Sequence, residues 1–230
     1  MLEEAKFFVV AHRGASAYEP ENTVRAVRRA LEIGADAVEV DVRLSADGVP
    51  VVIHDETVDR TTDGTGRVAE MTLEELRRLD AGQGERIPTL EEVLEQVRGR
   101  AILFVELKVD EVALPSLRLV RDVGMLDEVL FISFSQIALS RVRADEEGAH
   151  IGLIYFKPSD GIVGAKKLGC EFVLPYYRLA TGKAIAFAHR MGLRVVPWTV
   201  DDLETARELK RRGADGVASN RPDVMMPLRE

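Results

Sequence analysis

Short runs of β-branched and aromatic residues alternate along this chain with stretches whose apolar positions recur every three or four residues. The alternation predicts strands near residues 7–12, 36–42, 101–107, 129–134, 150–155, 171–175, 193–199 and 215–219. It predicts helices near 22–33, 73–80, 90–98, 111–123, 136–147, 160–168, 181–191 and 202–212. The segments "EIGADAVEV", "KLGCEFVL" and "RRGADGVA" each place a glycine after a helix, then a small residue and an acid, then a strand. Glycine is the usual left-handed stop at that point. Thr72 with Glu75, and Thr89 with Glu92, read as capping boxes that open helices.

Strands alternating with helices imply an α/β fold with parallel strands. Eight such strands within about 215 residues match the small end of the TIM (β/α)8 barrel. A doubly wound open sheet usually stops at five or six strands and calls for a Gly-rich turn after the first. Here "HRGASAYEPENT" offers one glycine there, so the barrel is the better fit. A ninth apolar run, "VVIHD" at 51–55, follows Asp47-Gly48, a two-residue hairpin signal. Folding about that turn sets His54 opposite Asp41, and Pro50 confines the returning strand to an edge. The chain therefore reads as a single barrel domain over 1–230, with a hairpin and small insertion at about 43–88 after the second strand.

Several apolar strands end on ionisable groups. His12, Glu39, Asp41, Glu106 and Lys108 lie at or near C-terminal strand ends, the catalytic rim of such barrels. Period-two alternation puts Glu39 with Asp41, and Glu106 with Lys108, on the inner face. Val38, Val40, Val42, Val105, Leu107 and Val109 then face the helices. Three carboxylates gathered together require a cation, and all-oxygen ligation selects Mg²⁺, Ca²⁺ or Mn²⁺. The bland alternative is an ion-pair network of Glu39, Asp41, Glu106, Arg13 and Lys108, which leaves both rim histidines unexplained. His12 and His54 on one rim point to acid–base work. Asp55 orients His54 or caps the loop, while His150, at the opposite end, and His189, in a helix, read as structural. Trp198 ends the seventh barrel strand, either as core packing or as a substrate-facing wall.

Composition narrows the classes. The chain is 46% apolar and 30% charged, with a formal net charge of −8. That balance argues against nonspecific nucleic-acid binding, and an anionic substrate then needs a local positive site. No stretch approaches the roughly 18 apolar residues of a membrane span, so no stable membrane anchor is expected. The opening "MLEEAKFFVV" lacks the pattern of a secretory signal, and the one cysteine, Cys170, fits a reducing cytoplasm. Asn occurs only at 22 and 220 and Gln only at 83, 96 and 136, a thermophile-like scarcity.

Several segments together carry a family resemblance: "HRGASAYEPENT", "VEVDVRLSADGVPVVIHDETVDRTTDGTG", "TLEELRRLDAG", "IPTLEEVLE", "FVELK", "ISF", "WTVDD" and "ADGVASNRPD". In order and spacing, from about Val9 to Asp223, the chain resembles the glycerophosphodiester phosphodiesterases. The resemblance implies a TIM barrel, a divalent metal, and hydrolysis of glycerophosphodiesters to glycerol 3-phosphate and an alcohol. By motif, His12 and His54 resemble the acid–base pair, and Glu39, Asp41 and Glu106 the metal ligands. Arg13 and Lys108 resemble the phosphate-binding cations. Two positions depart from the family pattern, Ser219-Asn220 where Thr-Asp is usual and Asp201 where Asn is frequent, which puts rim geometry in question. A lysophospholipase D-like or phosphatidylinositol phospholipase-like diesterase, and a non-catalytic phosphodiester-binding barrel, are the rival readings. Which histidine is acid, whether water or a glycerol hydroxyl attacks, and the oligomeric state stay open at this point.

Overall fold

A computed structural model describes residues 7–157 and 161–229. Eight parallel strands with helices between them form a nearly closed barrel, and one antiparallel strand is added to it. In chain order the strands are β1 (Phe8–His12), β2 (Ala37–Leu44), β3 (Pro50–Val52), β4 (Ile102–Leu107), β5 (Val129–Ser133), β6 (His150–Tyr155), β7 (Phe172–Pro175), β8 (Arg194–Val195) and β9 (Gly216–Ser219). The helices are α1 (Val24–Ile33), α2 (Leu73–Leu76), α3 (Leu90–Val97), α4 (Ala113–Asp122), α5 (Gln136–Asp145), α6 (Gly161–Leu168), α7 (Gly182–Arg190), α8 (Leu203–Arg211) and α9 (Pro222–Met225). Residue 160, the expected start of α6, lies outside the described residues.

The period-two pattern sorts the side chains as the sequence requires. Val38, Val40, Val42, Val105 and Leu107 pack outward, into the layer shared with the helices. Phe8, Val10, Phe104, Ile132, Ile154, Phe172 and Leu174 point inward and fill the barrel. Phe172 meets Phe8 and Phe104 edge-on, with ring centroids 6.2 and 6.1 Å apart. The Arg194 guanidinium lies 4.9 and 5.2 Å from the Phe8 and Phe172 centroids. The interior is thus a packed floor, with Arg194 stacked on its rings at the N-terminal end of β8 and the ionisable groups of the site at the C-terminal mouth.

The repeated helix–glycine–acid–strand punctuation has a mechanical meaning. Gly34, Gly169 and Gly213 all have positive φ, and the Gly34 N–H reaches back to the Ala30 and Leu31 carbonyls. The acid that follows ties down the beginning of a neighbouring strand. Asp36 accepts from the Val9 N–H at 2.9 Å, and Asp215 from the Val195 N–H at 2.6 Å. Both capping boxes form as the sequence indicates.

Three expectations change. The helix placed at 73–80 is one turn, Leu73–Leu76, because the chain then bends to bring Asp80 into hydrogen bonds with Asp63. The strand placed at 193–199 shrinks to Arg194–Val195. Pro197 has no N–H to donate there, so closure onto β9 rests on separate bonds: Asp215 N to Val195 O at 3.0 Å, then Ala218 N to Pro197 O and Val200 N to Ala218 O, each 2.9 Å.

The third change concerns the hairpin. Its loop has three residues, Ala46-Asp47-Gly48, closed by Ser45 N to Val49 O and Gly48 N to Ser45 O, both 3.0 Å. Ser45 Oγ takes the Val49 N–H and bonds Asp47, and Gly48 carries the left-handed φ of 80° that such loops need. Val42 therefore pairs with Val52 and Leu44 with Pro50, one residue out of the expected register. Ile53, not His54, donates to the Asp41 carbonyl, at 3.0 Å. The Ile53 side chain joins a separate cluster with Val51, Val58, Val68, Leu76 and Ile87. The ladder stops at Val52, and His54 lies beyond it, its carbonyl held by Arg43 Nε at 2.8 Å. β3 takes the edge of β2 that β1 vacates after His12, and pairs with no other strand in the sheet.

Two glycines separate backbone strain from crowding. Gly48 to Ala should cost about 1–2 kcal/mol, the left-handed penalty alone, because a Cβ there meets nothing within 4 Å. At Gly14, with φ 76°, the added carbon falls 2.5 Å from the Ala26 backbone. Gly14→Ala should exceed Gly48→Ala by about 1–3 kcal/mol of overpacking, read from urea midpoints at constant slope. Equal midpoints would show that the β1–α1 turn yields freely.

Candidate active site

The first strand delivers His12 to the rim and then turns at once. Arg13 has φ 55°, Gly14 follows at 76°, and the Arg13 N–H points at Glu39 Oε2, 2.8 Å away. Neighbouring β2 carries Glu39 and Asp41, and β4 sets Glu106 in direct register with Asp41. Ligand oxygens from Glu39, Asp41 and Glu106 lie within 4.8 Å of one another, and all three residues are buried.

Each carboxylate has a partial answer to its burial. Asn22, also at positive φ (59°), clamps Asp41 twice: its Nδ2 donates to Oδ2 at 2.8 Å, and its Oδ1 accepts the Asp41 N–H at 3.1 Å. Lys108 Nζ sits 2.6 Å from Glu106 Oε1 and 3.3 Å from Asp41 Oδ1, and Arg13 Nε lies 3.1 Å from Asp41 Oδ2. The ion-pair network weighed from sequence therefore forms, but two cations face three carboxylates. Glu39 Oε1 and Asp41 Oδ1 remain buried without a hydrogen-bond partner. A hard divalent ion fits that deficit: it accepts oxygen donors only and takes up the unpaired lone pairs.

Titration behaviour follows the same imbalance. Burial first, and the Asp41 charge second, push Glu39 up to about 8 and Glu106 to about 7. Burial also pushes Asp41 upward, but Lys108, Arg13 and His54 outweigh it and hold its carboxyl below the usual range. His12 is lowered by burial and then by Arg13. His54 is lowered by burial, against the pull of Asp41 and Asp55.

The two imidazoles are held differently. His12 Nδ1 lies 2.8 Å from Asn220 Oδ1. That amide is itself fixed, with Ser16 Oγ donating to Oδ1 at 2.9 Å and Nδ2 donating to Asp201 Oδ2 at 2.7 Å. Asp201 Oδ1 also accepts the Asn220 N–H and the Ser219 hydroxyl, so the two departures from the family pattern meet in one contact set. An amide oxygen only accepts, which puts the His12 proton on Nδ1 and leaves Nε2, 3.9 Å from Glu39, with a lone pair. His54 Nδ1 instead lies 2.5 Å from Asp55 Oδ1. Arg60 grips Asp55 through Nε at 2.6 Å, holds its carboxyl far below the ordinary range, and reaches Glu21 at 2.8 Å. Glu21 accepts from Arg13 at 2.9 Å, which links the two histidine-bearing segments through one charged chain.

His12, Arg13, Glu39, His54, Glu106, Lys108 and Trp198 all line one cavity of about 140 Å³. Asp41 lies beneath it, fully buried. His150 and His189 are elsewhere, paired with Glu171 and Asp215. The sequence reading did not single out Asn22, Glu21, Ser16 or Arg60, and saw Asn220 and Asp201 only as departures. One signal was present: the chain has two asparagines, and both hold site residues.

The raised carboxyls set a pH dependence. Glu39 and Glu106 titrate higher folded than unfolded, so between their ordinary values and about 7–8 the native state binds the extra protons. The lowered His12 and His54 oppose this below their ordinary value, where the unfolded state binds the extra protons. Stability of metal-free protein should therefore fall as pH rises from about 6.5 to about 8 and level off above it. Glu39→Gln should flatten the fall, measured by thermal unfolding in chelator from about pH 6.5 to 9. A profile that rises over this range in the parent protein would contradict it.

Comparison with known proteins agrees with this geometry. Residues 12–224 match the glycerophosphoryl diester phosphodiesterase family. The chain is 37% identical over 240 residues to a glycerophosphodiester phosphodiesterase of Caldanaerobacter subterraneus subsp. tengcongensis, covering 97% of this chain and 98% of that one. A phosphodiesterase of Oleispira antarctica, solved with the product sn-glycerol-3-phosphate, superposes with a TM-score of 0.92 at 32% identity, covering 96% of each chain. A glycerophosphodiester phosphodiesterase of Thermotoga maritima gives 0.83 at 28% identity, over 99% of this chain and all of the other. The chain belongs to the glycerophosphoryl diester phosphodiesterase family and is a phosphoric diester hydrolase of that class.

Proposed function

We propose that this chain hydrolyses glycerophosphodiesters to sn-glycerol 3-phosphate and an alcohol, with a divalent ion held by Glu39, Asp41 and Glu106. The observation that carries the proposal is the pair of buried carboxylate oxygens without a hydrogen-bond partner beneath a cavity lined by two imidazoles. The product held by the Oleispira antarctica relative supports the substrate class. When bound, Mg²⁺, Ca²⁺ or Mn²⁺ would polarise a phosphoryl oxygen and lower the pKa of a hydroxyl or water. Arg13 and Lys108 line the cavity and supply the positive charge that a protein of net −8 needs beside a phosphodiester.

The backing of each histidine supports a different part for it. His12 rests on a neutral amide and stands next to Arg13, so it stays neutral, and its Nε2 lone pair takes the proton of the attacking hydroxyl or water. His54 rests on the Asp55 carboxylate, which compensates an imidazolium, so its Nε2–H delivers a proton to the leaving alkoxide. Ser16, Asn220 and Asp201 fix the first ring, and Arg60 with Glu21 fixes the acid behind the second. The cytoplasm is the proposed compartment, supported by the chain's having a single cysteine and so no internal disulfide. No helix among the described residues is long and apolar enough to cross a membrane.

Chelation tests the metal directly. Stripped protein should lose hydrolysis of glycerophosphocholine, and added Mg²⁺, Ca²⁺ or Mn²⁺ should restore it. Full turnover without metal would remove the assignment of the three carboxylates.

The histidine roles are separable by leaving group. His12→Ala and His54→Ala should each lower kcat by about 10²–10⁴ on a choline diester. On a nitrophenyl ester, whose leaving group needs no proton, His54→Ala should recover and His12→Ala should not. The reverse pattern would exchange the assignments.

A further inference from the structure

Lys108 is the first residue after β4, where the strand no longer dictates its direction. Its ammonium nevertheless stays aimed inward, 2.6 Å from Glu106 and 3.3 Å from Asp41. The register of β4 with β5 runs only as far as Glu106 and Ile132. Beyond it, the peptide between Leu107 and Lys108 is held at both of its polar groups. The Lys108 N–H donates to the Val42 carbonyl of β2 at 3.2 Å, and the Leu107 carbonyl accepts from Ser133 Oγ at 2.8 Å.

Ser133 is out of pattern for its strand. Along β5, Leu130 and Ile132 point into the barrel while Val129 and Phe131 point into the helix layer, so the next outward position calls for another apolar side chain. Ser133 stands there instead, 1% exposed and outside the cavity lining. A carbonyl only accepts, so the one hydroxyl proton goes to Leu107, and the oxygen in turn takes the Ser135 N–H at 3.0 Å. Ser135 extends the hold: its Oγ donates to Asp110 Oδ1 at 2.5 Å, and Arg141 donates to the Asp110 carbonyl at 2.7 Å. The chain on both sides of Lys108 is thereby fastened to the turn between β5 and α5. Phe134, between the two serines, lines the cavity and meets Trp198 edge-to-face at 5.6 Å.

We infer that Ser133 is a positioning residue for phosphodiester cleavage and acts through Lys108. This rests on the phosphodiesterase reading above, which gives Lys108 a phosphoryl group to hold. Without the hydroxyl, a buried carbonyl loses its donor and the peptide keeps only its bond to Val42. The peptide plane is then free to tilt, and the ammonium at the end of its flexible stem shifts with it. Ser133 touches neither substrate nor metal ligand, so its whole effect on turnover passes through the place where Lys108 stands.

The test is a double-mutant cycle on glycerophosphocholine with divalent ion supplied. Ser133→Ala should lower kcat/KM about ten- to a hundredfold, the cost of a displaced group. In a Lys108→Ala background the same change should cost less than about twofold, because the group it positions is gone. Amide hydrogen exchange gives a second readout that needs no turnover. Ser133→Ala should speed exchange of the Lys108 N–H about tenfold beyond any change at Val105 in the same strand. Equal losses with and without Lys108, parent-like kinetics, or exchange raised evenly along β4 would overturn the inference, since each marks a residue that only supports the fold. If the alanine variant does not fold, Ser133→Cys, similar in size and a weak donor, enters both measurements with the same expectation. A parent protein that cleaves no glycerophosphodiester would fault the phosphodiesterase reading itself, and the exchange pattern would still decide whether Ser133 holds Lys108.

Discussion

Three carboxylates buried side by side on neighbouring strands are the constraint to which the rest of the site responds. Asp41 and Glu106 face each other across the β2–β4 ladder, and Glu39 stands one inward position earlier. Such anions are costly to bury without partners, and burial together with the charge of Asp41 makes Glu39 and Glu106 harder to ionise. The chain answers with groups that are themselves constrained. Asn22 and Arg13 adopt positive φ, uncommon for residues other than glycine, and each directs a donor at a carboxylate from that geometry. Lys108 brings a charge from the first position after β4. The deficit that remains, two cations against three carboxylates and two oxygens without a hydrogen bond, fits a divalent ion.

The barrel was legible because its signals are local. Period-two alternation separates Val38, Val40 and Val42 from Glu39 and Asp41, and glycine with an acid marks the passage from helix to strand. The misplaced features depend on groups that such patterns do not register. Asp47-Gly48 has the composition of a two-residue turn, but the Ser45 hydroxyl caps the loop and recruits Ala46, so the register moves by one. A slip of one residue exchanges faces, and here it sends Ile53 into the apolar cluster and leaves His54 to follow after the ladder has ended. Pro197 shortens β8 for a reason visible in the sequence, the missing N–H, that apolar character alone conceals. At the site, residues that share a strand face could be gathered from spacing. Those supplied by loops, Glu21, Asn22, Arg60, Asp201 and Asn220, could not, because their contacts span up to 208 positions.

The histidines show how the same side chain is given two characters. Both are lowered by burial, yet one is backed by an amide and the other by a carboxylate that Arg60 keeps ionised. An amide can orient a ring and fix its tautomer but adds no charge, whereas a carboxylate does both and favours the imidazolium. The exchange at positions 201 and 220 matters for this reason. With Asn at 220 the negative charge of Asp201 stands one residue removed from His12, bonded to the amide and not to the ring.

A division of labour follows around the rim. On the side of β1, β2 and β4, each polar group is bound to another, from Asp41 through Arg13 and Glu21 to Arg60, Asp55 and His54, so a change at one reaches the protons of all. On the side of β5 to β8 the rings meet by packing alone, and Trp198 has its one donor satisfied. Packing contacts between distant groups are close to additive, while a hydrogen-bonded charge network is not. The rings of Trp198, Phe134 and Phe156 can therefore change in shape with less effect on the charged groups across the cavity than a change within that network would have.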